Sequence, residues 1–253
     1  MAEVVVLADA KELAAAAADR VVRSVAAAIA ERGTAHLALT GGSTAEGLYR
    51  ALLEPARREA IAWSRVELWW GDERYVPAAD AASNARLALA SLVDVEAIRG
   101  ARVHTFPVEA ATAHGRGPHW AAAEYAGWLR ARIPADRGGL PIFDVLLLGM
   151  GADGHVLSVF PGSPALAPDA PLVMAIPAPS HIRPHLQRLT LNPGVLGAAR
   201  LVLVMCHGAA KAARVAEVLE GTLDVSRLPA QLARGPNAVW LLDSAAASAL
   251  TRR

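Results

Sequence analysis

The sequence predicts an α/β protein built on a doubly wound, mostly parallel sheet with helices on both faces. Short apolar runs alternate along the chain with longer helix-forming stretches, and the run at 145–148 contains no polar residue. Strands that are buried on both faces are typically uninterrupted apolar runs, and strands that alternate with helices form parallel sheets. Ligands bind such sheets beyond the carboxyl ends of the strands, so polar residues that directly follow a strand are candidates for a site.

The size and composition of the chain favour one domain over residues 1–253. The 253 residues are 54% hydrophobic, which is enough to bury a large core. A formal net charge of +1 argues against a nucleic-acid partner or a polybasic membrane surface. No apolar run approaches the roughly 20 residues of a membrane span, and no secretory leader is evident. The single cysteine, Cys206, excludes an internal disulfide. We therefore expect a cytoplasmic protein, either a monomer or a weak homodimer.

The order of predicted elements follows from these patterns. Asp9 and Glu12 have the spacing of a helix start, and Gly33 follows the end of that helix. The proline-rich stretch 161–184 is typical of a long loop, with a possible strand at 172–176. The other predicted strands are 4–7, 36–39, 66–70, 143–148, 201–205 and 239–242, with a short one at 189–191. The other predicted helices are 45–53, 120–132 and 209–219.

The segment 143–155 runs from a predicted buried strand into a glycine-rich turn that ends in Asp153 and His155. An acid and an imidazole at a ligand-binding sheet edge predict an active site. The spacing also matches the dinucleotide pattern G-x-G-x-x-G. That match is weak, because Pro161 interrupts any following helix and no suitable acid closes a second strand about 20 residues later. A tight turn that presents the two side chains is the better interpretation.

The segment Thr40-Gly-Gly-Ser-Thr44 lies between a predicted strand and a predicted helix. The backbone N–H groups of Gly42, Ser43 and Thr44 would then face an incoming anion, which predicts a phosphate cradle. The alternatives are an ordinary turn capped by Ser43 or Thr44, and a hydrolase nucleophile elbow with Ser43 attacking. The elbow is disfavoured because only two predicted strands precede it.

Further candidate residues follow other strands. Asp72 and Arg74 come directly after the strand 66–70 and suit sugar hydroxyls or an oxyanion, although a solvated turn would also explain them. Lys211 lies in the first turn of a predicted helix, an unfavourable place for a cation unless an anion is nearby. Arg188 precedes the short strand 189–191, where a surface cation is the strong alternative. His181 and His185 are separated by Pro184, so no metal site is predicted.

Taken together, these residues resemble the 6-phosphogluconolactonase family over nearly the whole chain. The motifs that carry the resemblance are Gly41-Gly-Ser-Thr44, Trp70-Gly-Asp-Glu-Arg74 with Ser83-Asn84, Leu148-Gly-Met-Gly-Ala-Asp-Gly-His155 with Phe160-Pro-Gly162, Arg188-Leu-Thr190 and Gly208-Ala-Ala-Lys211. The resemblance implies a fold shared with glucosamine-6-phosphate deaminase and ribose-5-phosphate isomerase, hydrolysis of a phosphorylated sugar lactone, and no required cofactor. The chain departs from the family pattern at Ala45, where proline is common, at Val156, where threonine is common, and at 181–187.

Two other functions of this superfamily are weaker matches. The deaminases resemble the chain at the Asp-Gly-His turn but have a glutamate five residues after the histidine, where this chain has Phe160. They also have a tyrosine in place of Arg74. Sugar-phosphate sensors of transcriptional regulators have a helix-turn-helix ahead of the sensor, whereas the first strand here is predicted to begin at Val4.

A lactone is an activated ester, so its hydrolysis needs a base for water and donors for the developing oxyanion. We expect His155 to be the base and Asp153 to orient it or to bind a substrate hydroxyl. Asp72 would contact sugar hydroxyls. The residues expected to share the phosphate and nearby oxygens are Gly42, Ser43, Thr44, Arg74, Arg188 and Lys211.

Overall fold

Strands and helices alternate along the computed structural model, which describes residues 1–93, 98, 100–183 and 185–251. The strands are β1 (Glu3–Leu7), β2 (Ala35–Leu39), β3 (Val66–Trp70), β4 (Asp72–Arg74), β5 (Arg102–Val103), β6 (Val145–Gly149), β7 (Val173–Ile176), β8 (Arg188–Leu191), β9 (Val202–Cys206) and β10 (Ala238–Asp243). The α-helices are α1 (Ala10–Arg32), α2 (Ser43–Leu52), α3 (Pro55–Glu59), α4 (Asn84–Ala88), α5 (Val108–Ala113), α6 (Pro118–Arg132), α7 (Val195–Ala198) and α8 (Ala212–Glu220). Short 3-10 turns cover Trp63–Arg65, Pro164–Leu166, Ala209–Lys211 and Pro229–Arg234.

The central sheet has the strand order β1-β10-β9-β6-β2-β3-β5, and each neighbouring pair is parallel. The predicted α/β class with a mostly parallel sheet is confirmed. After β2 the chain moves outward to β3 and β5, and then returns to β6 on the other side of β2. The direction of winding therefore reverses between β2 and β6, and such a switch point opens a crevice at the carboxyl ends of the strands.

The inner strands are covered on both faces. Every residue of β2, β3, β9 and β10 is buried, and successive residues of a strand point to opposite faces. Helix α1 covers part of the sheet with an apolar stripe that includes Leu13, Val21 and Val25. Complete burial explains why these strands appear in the sequence as apolar runs without alternation.

Helix α1 begins and ends where the sequence predicts. The Asp9 carboxylate accepts hydrogen bonds from the backbone N–H groups of Lys11 and Glu12, both at 2.8 Å. The Glu12 carboxylate accepts from the N–H of Ala8 at 3.1 Å. The helix ends at Gly33, whose φ of 77° favours glycine. No helix among the described residues has both the length and the apolar character that crossing a membrane requires.

A second sheet lies beside the carboxyl edge of β3. It is antiparallel, with the order β4-β8-β7, and it pairs Asp72 with Thr190 and Arg74 with Arg188. Its strands β7 and β8 confirm the possible strand at 172–176, within the predicted loop 161–184, and the short strand at 189–191. The sequence does not predict β4 or the pairing of the three strands, because a strand of three residues is too short for a periodic signal and β4 begins only two residues after β3 ends.

Glu73 fixes the segment after β4. Its buried carboxylate accepts hydrogen bonds from the backbone N–H groups of Arg74, Asn84 and Ala85, each at 2.7 Å, and from the Ser83 hydroxyl at 3.0 Å. The start of α4 is thereby held against the second sheet. As a result, the Asn84 side chain lies at the carboxyl edge of the central sheet.

Candidate active site

A cavity of about 280 Å³ lies at the switch point. The segments that follow β2, β3, β6 and β9 form its walls, as expected for a parallel sheet. Seven of the nine predicted site residues line it: Gly42, Ser43, Thr44, Asp72, Arg74, His155 and Lys211. The other two lie behind this lining, Asp153 against His155 and Arg188 beside Arg74. The chain therefore brings the predicted residues together from distant parts of the sequence.

The first turn of α2 presents free backbone donors to the cavity. Gly42 precedes the helix with a φ of 93°, a conformation that favours glycine. The first N–H that bonds back within the helix is that of Glu46, which donates to the Gly42 carbonyl at 3.1 Å, and no side chain caps the helix. The N–H groups of Ser43 and Thr44 are thus available to an anion, and the helix dipole favours negative charge there.

Ser43 does not have the surroundings of an activated nucleophile. It is the exposed first residue of α2. His207, which lines the same cavity, contacts its neighbour instead, because Nδ1 of His207 lies 2.8 Å from the Thr44 hydroxyl oxygen. This geometry supports the cradle over the nucleophile elbow.

The turn after β6 aims His155 into the cavity. Nδ1 of His155 lies 2.5 Å from Oδ1 of Asp153, and the same oxygen accepts the His155 backbone N–H at 3.2 Å. A Cβ on Gly151 would lie 2.1 Å from Nδ1 of His155, so only glycine leaves room for the ring. No long helix follows the turn, since the next helical piece is the 3-10 turn Pro164–Leu166. The glycines therefore form a tight turn that positions His155, and they do not form a dinucleotide-binding loop.

Asp153 is ionised and sets the tautomer of His155. Burial acts to raise the pKa of Asp153, but hydrogen bonds and charge from His155, together with a hydrogen bond from His181, outweigh burial and hold this pKa well below its usual range. An ionised carboxylate only accepts hydrogen bonds, so Nδ1 of His155 must be the donor. In the neutral ring Nε2 then carries the lone pair. Among the described residues, no side chain forms a hydrogen bond with Nε2.

Asp72 is held by neutral donors. The Ser158 hydroxyl donates to its Oδ2 at 2.6 Å, and Nδ2 of Asn84 donates to its backbone carbonyl at 3.0 Å and more weakly to Oδ1 at 3.4 Å. The carboxylate is buried but lines the cavity. It can therefore accept a hydroxyl of a bound sugar in a fixed direction.

Arg74 and Arg188 form a pair of cations with spare donors. They are register partners in β4 and β8, and the Nε atoms of both are buried and have no hydrogen-bond partner among the described residues. Burial, followed by the charge of Arg74, lowers the pKa of Arg188. The guanidinium of Arg74 donates to the Ala82 carbonyl at 2.5 Å. Arg188 is 3% exposed, so the surface-cation interpretation is wrong. Unpartnered buried guanidinium nitrogens beside a cavity indicate an anionic ligand.

Lys211 and His207 form the wall after β9. Nζ of Lys211 donates to the Met150 carbonyl at 2.9 Å, which ties this wall to the turn that carries His155. His207 was not predicted, although it directly follows the strand and lines the cavity. Its position after a buried strand is the only signal that the sequence offers for it. Ser158 was also missed.

Two further residues limit the chemistry. The ring centroids of Phe160 and His155 lie 4.5 Å apart, at the position where the resemblance implies a glutamate for a deaminase. Cys206 lines the cavity, and burial raises the pKa of its thiol to about 12, so the thiolate nucleophile is not available at neutral pH. Within the described residues, no group of three or more histidine, cysteine and acidic side chains is placed to hold a metal ion.

The sequence is similar to known proteins over nearly its whole length. A family model described as glucosamine-6-phosphate isomerases/6-phosphogluconolactonase matches residues 8–241. The 6-phosphogluconolactonase of Streptomyces coelicolor is 40% identical, over 99% of this chain and 95% of that protein. The enzyme of the same name from Mycobacterium tuberculosis is 39% identical over 96% of each.

Solved structures show the same fold. The structure of 6-phosphogluconolactonase from Trypanosoma brucei superposes with a TM-score of 0.84 and 30% identity, covering 99% of both chains. A monomeric glucosamine-6-phosphate deaminase also superposes, with a TM-score of 0.77 over 98% of this chain and 99% of the other. At 21% identity the second likeness indicates the fold alone.

Replacing Asp153 by asparagine should lower the free energy of unfolding at pH 7 by about 1.5–3 kcal/mol, because hydrogen bonds to an ionised group are lost. The folded-state pKa lies below the unfolded value of 3.8, so this stabilisation is present above about pH 4 and is lost as the pH falls through the folded-state pKa. Urea unfolding between pH 7 and pH 2 measures the difference. Asp169→Asn, at an exposed carboxylate, is the control. If the free energies of unfolding of the wild type and of Asp153→Asn differ by the same amount down to pH 2, the charge of Asp153 does not contribute to stability.

Proposed function

Because the chain belongs to the glucosamine-6-phosphate isomerase/6-phosphogluconolactonase family, we propose that His155 is the general base of its reaction. The chain is a lactone hydrolase that converts 6-phospho-D-glucono-1,5-lactone to 6-phosphogluconate in the oxidative pentose phosphate pathway. The observation that carries the proposal is the 2.5 Å contact between Asp153 and Nδ1 of His155. It leaves the basic Nε2 for a water molecule in the cavity.

Hydrolysis proceeds through one tetrahedral intermediate. Nε2 of His155 takes a proton from water while the water oxygen bonds to C1 of the lactone, and the carbonyl electrons move onto oxygen. As the intermediate collapses, the bond between C1 and the ring oxygen breaks. The imidazolium returns its proton to that oxygen, so the product is a hydroxy acid that then ionises. Asp153 stabilises the imidazolium between the two steps, and no covalent enzyme intermediate is needed.

The cations and the backbone donors of the cradle bind the phosphate of the substrate and the oxyanion that develops during the reaction. The N–H groups at Gly42, Ser43 and Thr44 are preorganised donors and carry no protons that titrate near neutral pH. Arg74 and Lys211 line the same cavity, and Arg188 supplies a second guanidinium behind Arg74. Together these residues bind the phosphate and stabilise the developing oxyanion, while Asp72 accepts hydroxyls of the sugar.

Phe160 favours hydrolysis over deamination. Isomerisation with loss of ammonia needs further proton transfers, including the one that opens the sugar ring, whereas lactone hydrolysis needs one base. A phenyl ring beside His155 cannot carry a proton. We therefore expect no conversion of glucosamine 6-phosphate.

The proposal extends to the organisation of the protein. Residues 1–253 form one domain that acts in the cytoplasm as a monomer or weak homodimer, without a cofactor, nucleic acid or membrane partner. The net charge of +1 supports the absence of a nucleic-acid partner, and the pairing of β1 with β10, the first and last strands, supports a single domain. Sedimentation velocity at micromolar concentration should give a species of 26.4 kDa, and a stable larger assembly would contradict the monomer.

Replacing His155 by alanine should lower kcat by roughly 10² to 10⁴ with little change in KM, because the base acts in the transition state and not in binding. The measurement is an NMR time course on freshly generated 6-phosphogluconolactone, corrected for spontaneous hydrolysis. Glucosamine 6-phosphate is run in parallel. His119→Ala, on the exposed face of α6, is the control. Turnover near the wild-type rate in His155→Ala would remove His155 from the base role.

Replacing Lys211 by alanine should raise KM for the phosphorylated lactone by roughly 10-fold or more, since one charge-assisted contact is lost. The same change should have little effect on unphosphorylated gluconolactone. Lys11→Ala, which removes the other lysine of the chain from an exposed site on α1, is the matched control. Equal losses on both lactones would show that Lys211 does not bind phosphate.

A further inference from the structure

We propose that His181 is a positioning residue for catalysis, which acts on His155 through Asp153. This inference rests on the proposed role of His155 as general base. Nε2 of His181 lies 2.7 Å from Oδ2 of Asp153, while Oδ1 is bound to His155. One carboxylate therefore bridges two imidazoles, with a separate oxygen for each ring. Because Asp153 is ionised, both imidazole nitrogens are donors.

The bridge fixes the direction of the carboxylate. With donors on Oδ1 alone, namely the ring and the backbone N–H of His155, the carboxylate could still turn about its side-chain bonds and keep a hydrogen bond to His155. A second donor on the opposite oxygen removes that freedom, and the orientation of the base depends on it. Phe160 contacts both imidazoles. Its ring centroid lies 4.5 Å from that of His155 and 6.0 Å from that of His181, which it meets edge-on. The four side chains thus hold one another in place.

His181 also connects the base to the sheet that carries the arginines. It lies between β7 and β8, and β8 begins with Arg188, the register partner of Arg74. The His181 side chain is 48% exposed, so it lies at the surface of the site and outside the cavity lining. Its only hydrogen bond to the catalytic group among the described residues is the one to Asp153, so we expect its effect on the reaction to pass mainly through that carboxylate.

The contact has an electrostatic consequence. A donor to Oδ2 draws negative charge away from Oδ1 and so weakens the support that Asp153 gives to the imidazolium form of His155. Loss of the donor should therefore move the acid limb of the pH profile to higher pH, while the looser carboxylate lowers kcat. Among the described ionisable groups, Lys211 and Arg214 contact the turn, Glu217 is paired with Arg214, and Arg183 and His185 lie close to His181 in sequence.

The contacts of these groups do not involve His181, so we expect them to be kept when only His181 is replaced. Lys211 and Arg214 donate to the carbonyls of Met150 and Ala152, and neither forms an ion pair with Asp153. His185 contacts the Pro179 carbonyl at 3.0 Å, within the same segment. His185→Leu is therefore a matched control, because it removes an exposed imidazole from this segment without touching Asp153.

The test compares His181→Leu, His181→Gln and His185→Leu by stopped-flow hydrolysis of 6-phosphogluconolactone between pH 5 and pH 8.5. His181→Leu should lower kcat about 3- to 30-fold, change KM less than 2-fold and raise the acid limb of kcat/KM by about 0.5 pH unit. His181→Gln, which keeps an N–H donor, and His185→Leu should stay close to the wild type. Circular dichroism and the Tm confirm that each variant is folded.

Two results would overturn the inference. The first is a His181→Leu enzyme with wild-type kcat and an unmoved acid limb. The second is an equal loss in His181→Gln and His181→Leu with no shift of the acid limb, which would reduce His181 to packing. His155→Ala, measured alongside, separates the two proposals: if it is inactive while His181→Leu behaves as wild type, only the role of His181 fails. If His155→Ala remains active, the general-base proposal itself fails.

Discussion

The parallel pairing of β2 with β6 is the constraint on which the site depends. Leu37 pairs with Val145 and Ala38 with Leu146, and all four residues are completely buried. The two strands lie next to each other in the sheet although more than a hundred residues separate them. Each ends at the cavity, one with the anion cradle and the other with the turn that carries His155. Because close-packed interiors resist small shifts, the relative position of cradle and base is set by the core.

A second constraint comes from the small antiparallel sheet. Its register places the half-buried Arg74 beside the buried Arg188, and holding two like charges there costs free energy unless an anion offsets it. The carboxylates of Asp72 and Glu73 compensate part of this charge, and Glu73 is already committed to four donors of its own. The two unpartnered Nε atoms remain. A site with spare buried cations is preorganised for a phosphorylated substrate, because its donors need not reorganise when the anion enters.

The sequence predicted six of the seven strands of the central sheet, because strands of five or six residues and capped helices carry strong local signals. Strand 66–70 has the predicted bounds, and α1 ends before Gly33 as expected. Strand β6 begins at Val145, two residues later than predicted, and the Asp144 carboxylate just before it accepts the His36 backbone N–H. Strands β4 and β5 were not predictable, since strands of two or three residues lack periodicity. The contact between Ser158 and Asp72 was not predictable either, because it joins residues 86 positions apart and no local pattern encodes such a pair.

Most of the predicted site residues follow strands, and this is why position alone was informative about them. Position could not distinguish residues that line the cavity from residues that support them. Asp153 follows β6 as His155 does, yet both of its oxygens are taken by imidazoles and its side chain lies behind the lining. Gly151 leaves room for both side chains, since a Cβ there would lie 2.1 Å from Nδ1 of His155 and 2.5 Å from Oδ1 of Asp153. The turn therefore requires glycine because the two side chains pack against its backbone, and their hydrogen bond leaves the far side of the His155 ring toward the cavity.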